Sequence, residues 1–254
     1  MNESYLIDLD GTMYRGNENI DGAREFIAWC IAKQQPFYFL TNNATRTRSE
    51  NVQHMEKLGF KGIREDQFFT SSMAAARTMQ KFSTKRNAYM IGQAGLREAL
   101  LDAGFKLVEE DVDFVFVGLD AHADYEAYSK ALSYLVNGAK LVGTNNDRKL
   151  PHGKGYKLGN GSIVAMFEYA SEQLSPKIGK PYPPILNEAL EYFNIKKEDA
   201  ICIGDNLETD ILLGVNCQVD TIFVTTGVHT FADIERFQIV PTHKIHSLYE
   251  LMNE

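Results

Sequence analysis

Asp8 and Asp10 stand one residue apart where a short apolar run, Tyr5-Leu6-Ile7, gives way to Gly11 and Thr12. Side chains two apart on a strand point to one side, about 6–7 Å from each other along the chain, so Leu9 between them turns towards a core. Two carboxylates that close repel one another unless a cation neutralises them or one keeps a proton. Gly11 permits an abrupt turn after them. The pair therefore lies where a strand ends, the place at which open α/β sheets bind ligands.

Three further segments carry matching chemistry, and two of them directly follow an apolar run. Thr41-Asn42-Asn43 follows Phe37-Tyr38-Phe39-Leu40 and offers a hydroxyl, side-chain amides and loop N–H groups that donate to phosphate oxygens without adding charge. Lys180, between Gly179 and Pro181, is suited to neutralise a phosphoryl group as a point charge. Gly204-Asp205-Asn206-Leu207-Glu208-Thr209-Asp210 follows Ala200–Ile203, and its carboxylates are hard oxygen ligands of the kind Mg²⁺ takes. Asp210 falls near a helix start, where negative charge is favoured. Each segment alone is commonplace; the four in this order point to phosphoryl chemistry around a cation.

The elements that must position these residues alternate regularly. Strands are expected at 5–9, 37–40, 88–91, 114–117, 140–142, 200–203 and 221–224. Helices are expected at 21–33, 48–58, 96–103, 125–136, 161–170, 185–193 and 209–214, from apolar residues at helical spacing. Such alternation implies an α/β fold with a mostly parallel sheet covered on both faces.

Spacing then divides the chain. From Asp10 to Thr41 is 31 positions and from Lys180 to Asp205 is 25, room for one helix each. From Thr41 to Lys180 is 139, far more than a single crossover needs. We therefore expect an inserted α/β cap over residues 83–176, and a core made of residues 1–82 and 177–254.

Composition narrows the partners. With 26 basic and 34 acidic residues the net charge is −8, which counts against non-specific binding to nucleic acid or an anionic membrane. No apolar run approaches the roughly 18 residues of a membrane helix, and the first residues lack the basic start of a targeting segment. Cys30, Cys202 and Cys217 form no CxxC pair and read as buried thiols in a reducing compartment, so a cytoplasmic location is expected.

With these segments in view, the chain is identified as a resembling member of the haloacid dehalogenase (HAD) superfamily. The four motifs of that superfamily match Asp8/Asp10, Thr41, Lys180 and Asp205/Asp210. Within it the chain is most similar to the NagD-like, p-nitrophenylphosphatase-type branch, on Leu40–Asn43, Gly118-Leu119-Asp120, Gly143–Asp147, Gly159–Ser162 and Gly204–Ile211. The resemblance implies a Rossmann-like, doubly wound parallel-sheet core with a C2-type cap, and a Mg²⁺-dependent phosphomonoester hydrolase. Asp8 would be the nucleophile that becomes an aspartyl-phosphate, and Asp10 the general acid and base. Thr41, Asn42, Asn43, Asn206 and Lys180 would hold the substrate. Asp8, Asp10 (through its backbone carbonyl) and Asp205 would hold the metal, with Asp210 orienting Lys180 or a metal-bound water. Nucleoside monophosphates and sugar phosphates are the expected substrates, with p-nitrophenyl phosphate as an in vitro one. A homodimer is allowed for, since caps of this kind often pair in the family.

Other readings compete. A receiver-like phospho-acceptor also gathers acids, a Thr and a Lys around Mg²⁺, but has no place for an acid at i+2 or for a large insertion. A phosphotransferase or a dehalogenase would keep the fold and change the reaction, and a third reading is a non-catalytic metal-binding regulator. Within the cap, the loop 143–149 is a candidate for facing the substrate, Asp120 could face the active site but is rather expected to cap the helix after it, and Gly159–Ser162 is expected to be a turn and helix cap. His243 and His246 lack the further ligands a metal site needs.

Overall fold

The buried run Ser4–Ile7 forms strand β1, and a small hairpin of β2 (Tyr14–Arg15) and β3 (Glu18–Asn19) follows it. Helix α1 (Ala23–Lys33) buries Ala23, Phe26, Ile27 and Cys30 on one face, the i, i+3, i+4 spacing that makes it a helix. Then come β4 (Phe37–Thr41), α2 (Arg48–Lys57), β5 (Phe68–Thr70) and α3 (Ser71–Phe82). β6 (Asn87–Ile91), α4 (Ala94–Asp102), β7 (Lys106–Leu107) and β8 (Phe114–Val117) continue the alternation. Helix α5 (Tyr125–Val136) and strand β9 (Lys140–Gly143) precede a hairpin of β10 (Lys149–His152) and β11 (Gly155–Leu158) and helix α6 (Asn160–Ser171). Helix α7 (Pro183–Phe193) starts on prolines, which have no N–H to leave unpaired in a first turn. Strand β12 (Ala200–Gly204), a π-helical turn (Leu207–Ile211), α8 (Leu212–Cys217), β13 (Asp220–Val224), α9 (Ala232–Phe237) and β14 (His243–Ile245) complete the order. The computed structural model describes residues 3–153 and 155–252.

Two compact units emerge. The first comprises the chain up to Thr41, Arg48–Phe69 and the chain from Lys180 onwards; the second comprises Asn42–Thr47 and Thr70–Gly179.

The first unit holds a six-stranded sheet in the order β14-β13-β12-β1-β4-β5. β1 pairs in parallel with β4 on one side and β12 on the other, and β13 and β14 extend the parallel run. The chain leaves β1 in one direction and β12 in the other, so the carboxyl ends of these two strands flank a topological switch point. In register, Ile7 faces Ile203, which sets Asp8 beside Gly204. Ile7, Leu9, Phe26, Phe39, Phe68 and Ile203 belong to one buried cluster. Each such side chain contributes roughly 1.5–3 kcal/mol relative to exposure, so the strands that carry the site are anchored by the core beneath it. This is a Rossmann-like, mostly parallel architecture, as the strand–helix alternation led us to expect.

The second unit holds a four-stranded sheet in the order β7-β6-β8-β9, all parallel. Its buried cluster includes Ile91, Val115, Val117, Leu135, Leu141, Val164 and Phe167. No helix among the described residues is long and apolar enough to cross a membrane.

Several elements differ from expectation. The two hairpins and β14 were not expected, because apolar periodicity reports burial and these strands bury little: β11 is exposed throughout and β14 buries only Ile245. The expected helix at 209–214 begins instead as the π-helical turn. Helix α5 is capped by Asp124, whose side chain accepts the Ala127 N–H, while Asp120 accepts the His122 N–H at 2.9 Å and caps no helix.

Candidate active site

Asp8 stands just past β1, its backbone N–H donating to Ile203 O at 2.9 Å, and its side chain is 12% exposed. Gly11 adopts φ +103°, and a side chain there would run into the Asp205 carboxylate. The turn therefore needs glycine both for its backbone and for the space. Thr12, fully buried, donates to Asp205 Oδ1 at 3.1 Å. Leu9 is buried and Asp10 exposed, its backbone bridging to Tyr14.

Lys180 is the centre of the charge arrangement. Its ammonium, 3% exposed, donates to Asp8 Oδ1 at 2.5 Å and to Asp210 Oδ1 at 2.7 Å. Asp210 reaches it from the π-helical turn, an element often found at functional sites. The other Asp210 oxygen accepts the Asn206 N–H at 3.1 Å, and a Cβ at Gly204 would collide with Asp210. Asn206 caps the turn, its side chain accepting the Glu208 N–H at 3.0 Å. Thr41 ends β4, buried.

Asn42 and Asn43 belong to the second unit, among its own loops. The Asn42 amide donates to Asp147 Oδ1 at 3.0 Å, and its carbonyl accepts from Asn145 Nδ2 at 2.8 Å and Ser71 Oγ at 2.7 Å. Asn43 Oδ1 accepts from the Thr45 N–H at 3.0 Å. The glycine segment Gly159–Ser162 places its donors on peptide carbonyls: Gly161 N–H on Asp147 O at 2.9 Å and the Asn160 amide on Val117 O at 2.9 Å. It starts helix α6 and orders the loop after β9, which leaves these donors unavailable to an anion.

The electrostatics of the first unit's cluster are unbalanced. Asp8, Asp205 and Asp210 each offer a carboxylate oxygen, all within 4.8 Å of one another, and they are the one such group among the described residues. Burial pushes Asp8 well above the ordinary carboxylate range, with Asp210 and Asp205 adding to the rise and Lys180 opposing it. Burial, then Asp210, raises Asp205 to about 7, against the bonds from Val228 and Thr12. Burial alone would depress Lys180, but Asp210 and Asp8 outweigh it and hold the ammonium charged above the usual lysine range. When all three carboxyls are ionised, they exceed the one ammonium by two negative charges, the amount a divalent cation balances, and hard oxygen donors of this kind suit Mg²⁺. The residues present fit the expected ion.

Some contributors carry no signal in the sequence. Thr12 is one. Val228, whose N–H donates to Asp205 Oδ2 at 2.7 Å, acts through its backbone, and Gly227 acts by lacking a side chain that would collide with that same oxygen. The three cysteines are buried free thiols, and burial raises Cys30 and Cys202 to about 12, which makes them inert at neutral pH.

Residues 5–106 match the family model described as haloacid dehalogenase-like hydrolase, and residues 177–251 match one described as HAD-hydrolase-like. The chain is 39% identical over 253 residues to a protein named acid sugar phosphatase from Staphylococcus saprophyticus, covering 99% of this chain and 97% of the relative. Among solved structures, a double mutant of the thermostable NPPase from Geobacillus stearothermophilus superposes with a TM-score of 0.88 at 39% identity, covering 97% of this chain and 96% of that one. NagD from E. coli K-12 superposes with a TM-score of 0.89 at 31% identity, covering 98% and 97%.

Proposed function

Because the chain belongs to the haloacid dehalogenase-like hydrolases and is a phosphatase of their NagD-like branch, we propose that it hydrolyses small phosphomonoesters, sugar phosphates among them, through a phosphoryl-aspartate at Asp8. The observation that carries the reading is the meeting of Asp8, Lys180, Asp205 and Asp210, from three separate stretches of chain, at the switch point of the parallel sheet.

An Asp8 carboxylate oxygen forms a bond to phosphorus as the bond to the leaving oxygen breaks, and Asp10 gives that oxygen its proton. Water then attacks phosphorus, Asp10 takes the water's proton, and the Asp8–phosphorus bond breaks to release phosphate. A carboxylate nucleophile divides one difficult displacement into two easier ones. Lys180 and Thr41 hold phosphoryl oxygens, because this chemistry depends mainly on position and charge stabilisation. Lys180 has a second task, holding Asp8 in a single orientation by the 2.5 Å bond. Asp8 and Asp205, with the backbone carbonyl of Asp10, would hold Mg²⁺, which screens the approach of an anion to an anion. Asp210 keeps Lys180 charged and in place. The inserted α/β unit is proposed as the cap that selects the substrate.

A panel of sugar phosphates, nucleoside monophosphates and p-nitrophenyl phosphate, assayed with Mg²⁺ and with EDTA, tests the reading. Metal-dependent release of phosphate from the sugar phosphates is the expected result. Full turnover in EDTA, or no turnover of any monoester, would contradict it.

A further inference from the structure

We propose that the segment Thr226–His229, which has no part in that scheme, is a fifth piece of the active site, with His229 as a positioning residue for Asp205. The inference rests on reading Asp205 as a metal ligand. The segment follows β13 and touches Asp205 at three points. Val228 N–H donates to Asp205 Oδ2 at 2.7 Å, and His229 N–H donates to Asp205 O at 3.3 Å. Gly227 supplies the space that Oδ2 occupies, since a Cβ there would overlap it. At its other end, Thr226 Oγ1 donates to Gly11 O at 2.8 Å and Arg15 Nη2 donates to Thr226 O at 2.6 Å. One segment thus ties the loop after Asp8 and Asp10 to the loop that carries Asp205.

His229 contributes through its ring. Nδ1 accepts the Leu207 N–H at 3.0 Å. That amide opens the π-helical turn and has no acceptor within it, because the first N–H groups of any helix lack one. To accept, Nδ1 must be unprotonated, which puts a neutral ring's proton on Nε2. The residue is 9% exposed, and its ring meets Phe237 edge-on with centroids 4.9 Å apart. Phe237 in turn packs on the buried cluster of Leu207, Ile211 and Phe223. The ring is therefore fixed by packing, and it fixes the chain two residues beyond Asp205. The Asp205 carboxylate, held by Thr12 on one oxygen and Val228 on the other, keeps its rotation only while that loop keeps its path. Groups that orient a metal ligand in this way typically cost about 10–100-fold in metal affinity when removed.

The test uses the full chain, titrated with Mg²⁺ by calorimetry, and hydrogen exchange at the Leu207 amide. His229→Leu keeps bulk and removes the acceptor. It should weaken Mg²⁺ binding by about 10-fold or more and speed exchange at Leu207. His229→Asn, whose side-chain oxygen lies close to the position of Nδ1, should restore both, and His229→Gln, whose oxygen lies farther out, should not. If His229→Leu does not fold, the Asn and Gln variants make the same comparison. Unchanged exchange at Leu207, unchanged Mg²⁺ affinity, or equal behaviour of Asn and Gln would overturn the role of His229. A wild-type chain that binds no Mg²⁺ would instead overturn the metal reading, and this inference with it.

Discussion

Lys180 and Asp8 lie 172 positions apart in the chain, and the lysine Nζ is 2.5 Å from the aspartate Oδ1. The same ammonium reaches Asp210 Oδ1 at 2.7 Å, so one cation serves two carboxylates while a third, Asp205, stands beside them. Lys180 is therefore both a part of the chemistry and a group that offsets the repulsion among the clustered carboxylates.

Replacing Lys180 with Met should expose that second role. Removing one partner of a buried ion pair leaves its counterpart uncompensated, at a cost of about 3–5 kcal/mol. Denaturant unfolding in EDTA should show a loss of that order, and Mg²⁺ should recover part of it. Equal stability of Lys180→Met and the wild type in EDTA would mean the ion pair does not hold the site together.

Asp205 links metal binding to pH. A carboxyl group raised to about 7 in the folded chain, from an ordinary value near 3.8, binds its proton more tightly when folded. Its contribution favours the folded state below about pH 4 and is lost as the pH rises towards 7. In EDTA, the stability of the wild type relative to Asp205→Asn should therefore fall between about pH 4 and pH 7. A metal must displace that proton, so calorimetry at pH 6 in buffers of different ionisation enthalpy should detect proton release on Mg²⁺ binding. That release should shrink at pH 8. Binding at pH 6 with no proton released would contradict the raised carboxyl group.

Asp10 should matter most for poor leaving groups. A general acid contributes typically ~10²–10⁴-fold, but p-nitrophenolate departs with little help. Asp10→Asn should thus lower kcat/KM for a sugar phosphate far more than for p-nitrophenyl phosphate. An equal loss on both substrates would move the acid elsewhere.

Much of this architecture could be read from residue order, because buried parallel strands are short apolar runs and the chemistry sits where they stop. Asp8, Lys180, Asp205 and Asp210 are legible as side chains of definite type after such runs or between breakers, and they meet in space. The segment after β13 is not legible in the same way. Val228 contributes a backbone N–H, Gly227 contributes the absence of a side chain, and His229 bonds an amide 22 positions away. Asp120 illustrates a different limit. Two acids at the same loop, Asp120 and Asp124, are both plausible helix caps by type, and only the path of the chain assigns the cap to Asp124. The hairpin of β10 and β11 was hidden because its exposed residues leave no apolar alternation to detect.

The most direct test of the account is whether phosphorus becomes bonded to Asp8. Acid-quenching the chain during turnover of p-nitrophenyl phosphate with Mg²⁺, followed by peptide mass spectrometry, should find a phosphoryl group on Asp8, and Asp8→Asn should show neither that group nor turnover while remaining folded. Sustained turnover by Asp8→Asn would contradict the account, as would a phosphoryl group trapped on another residue.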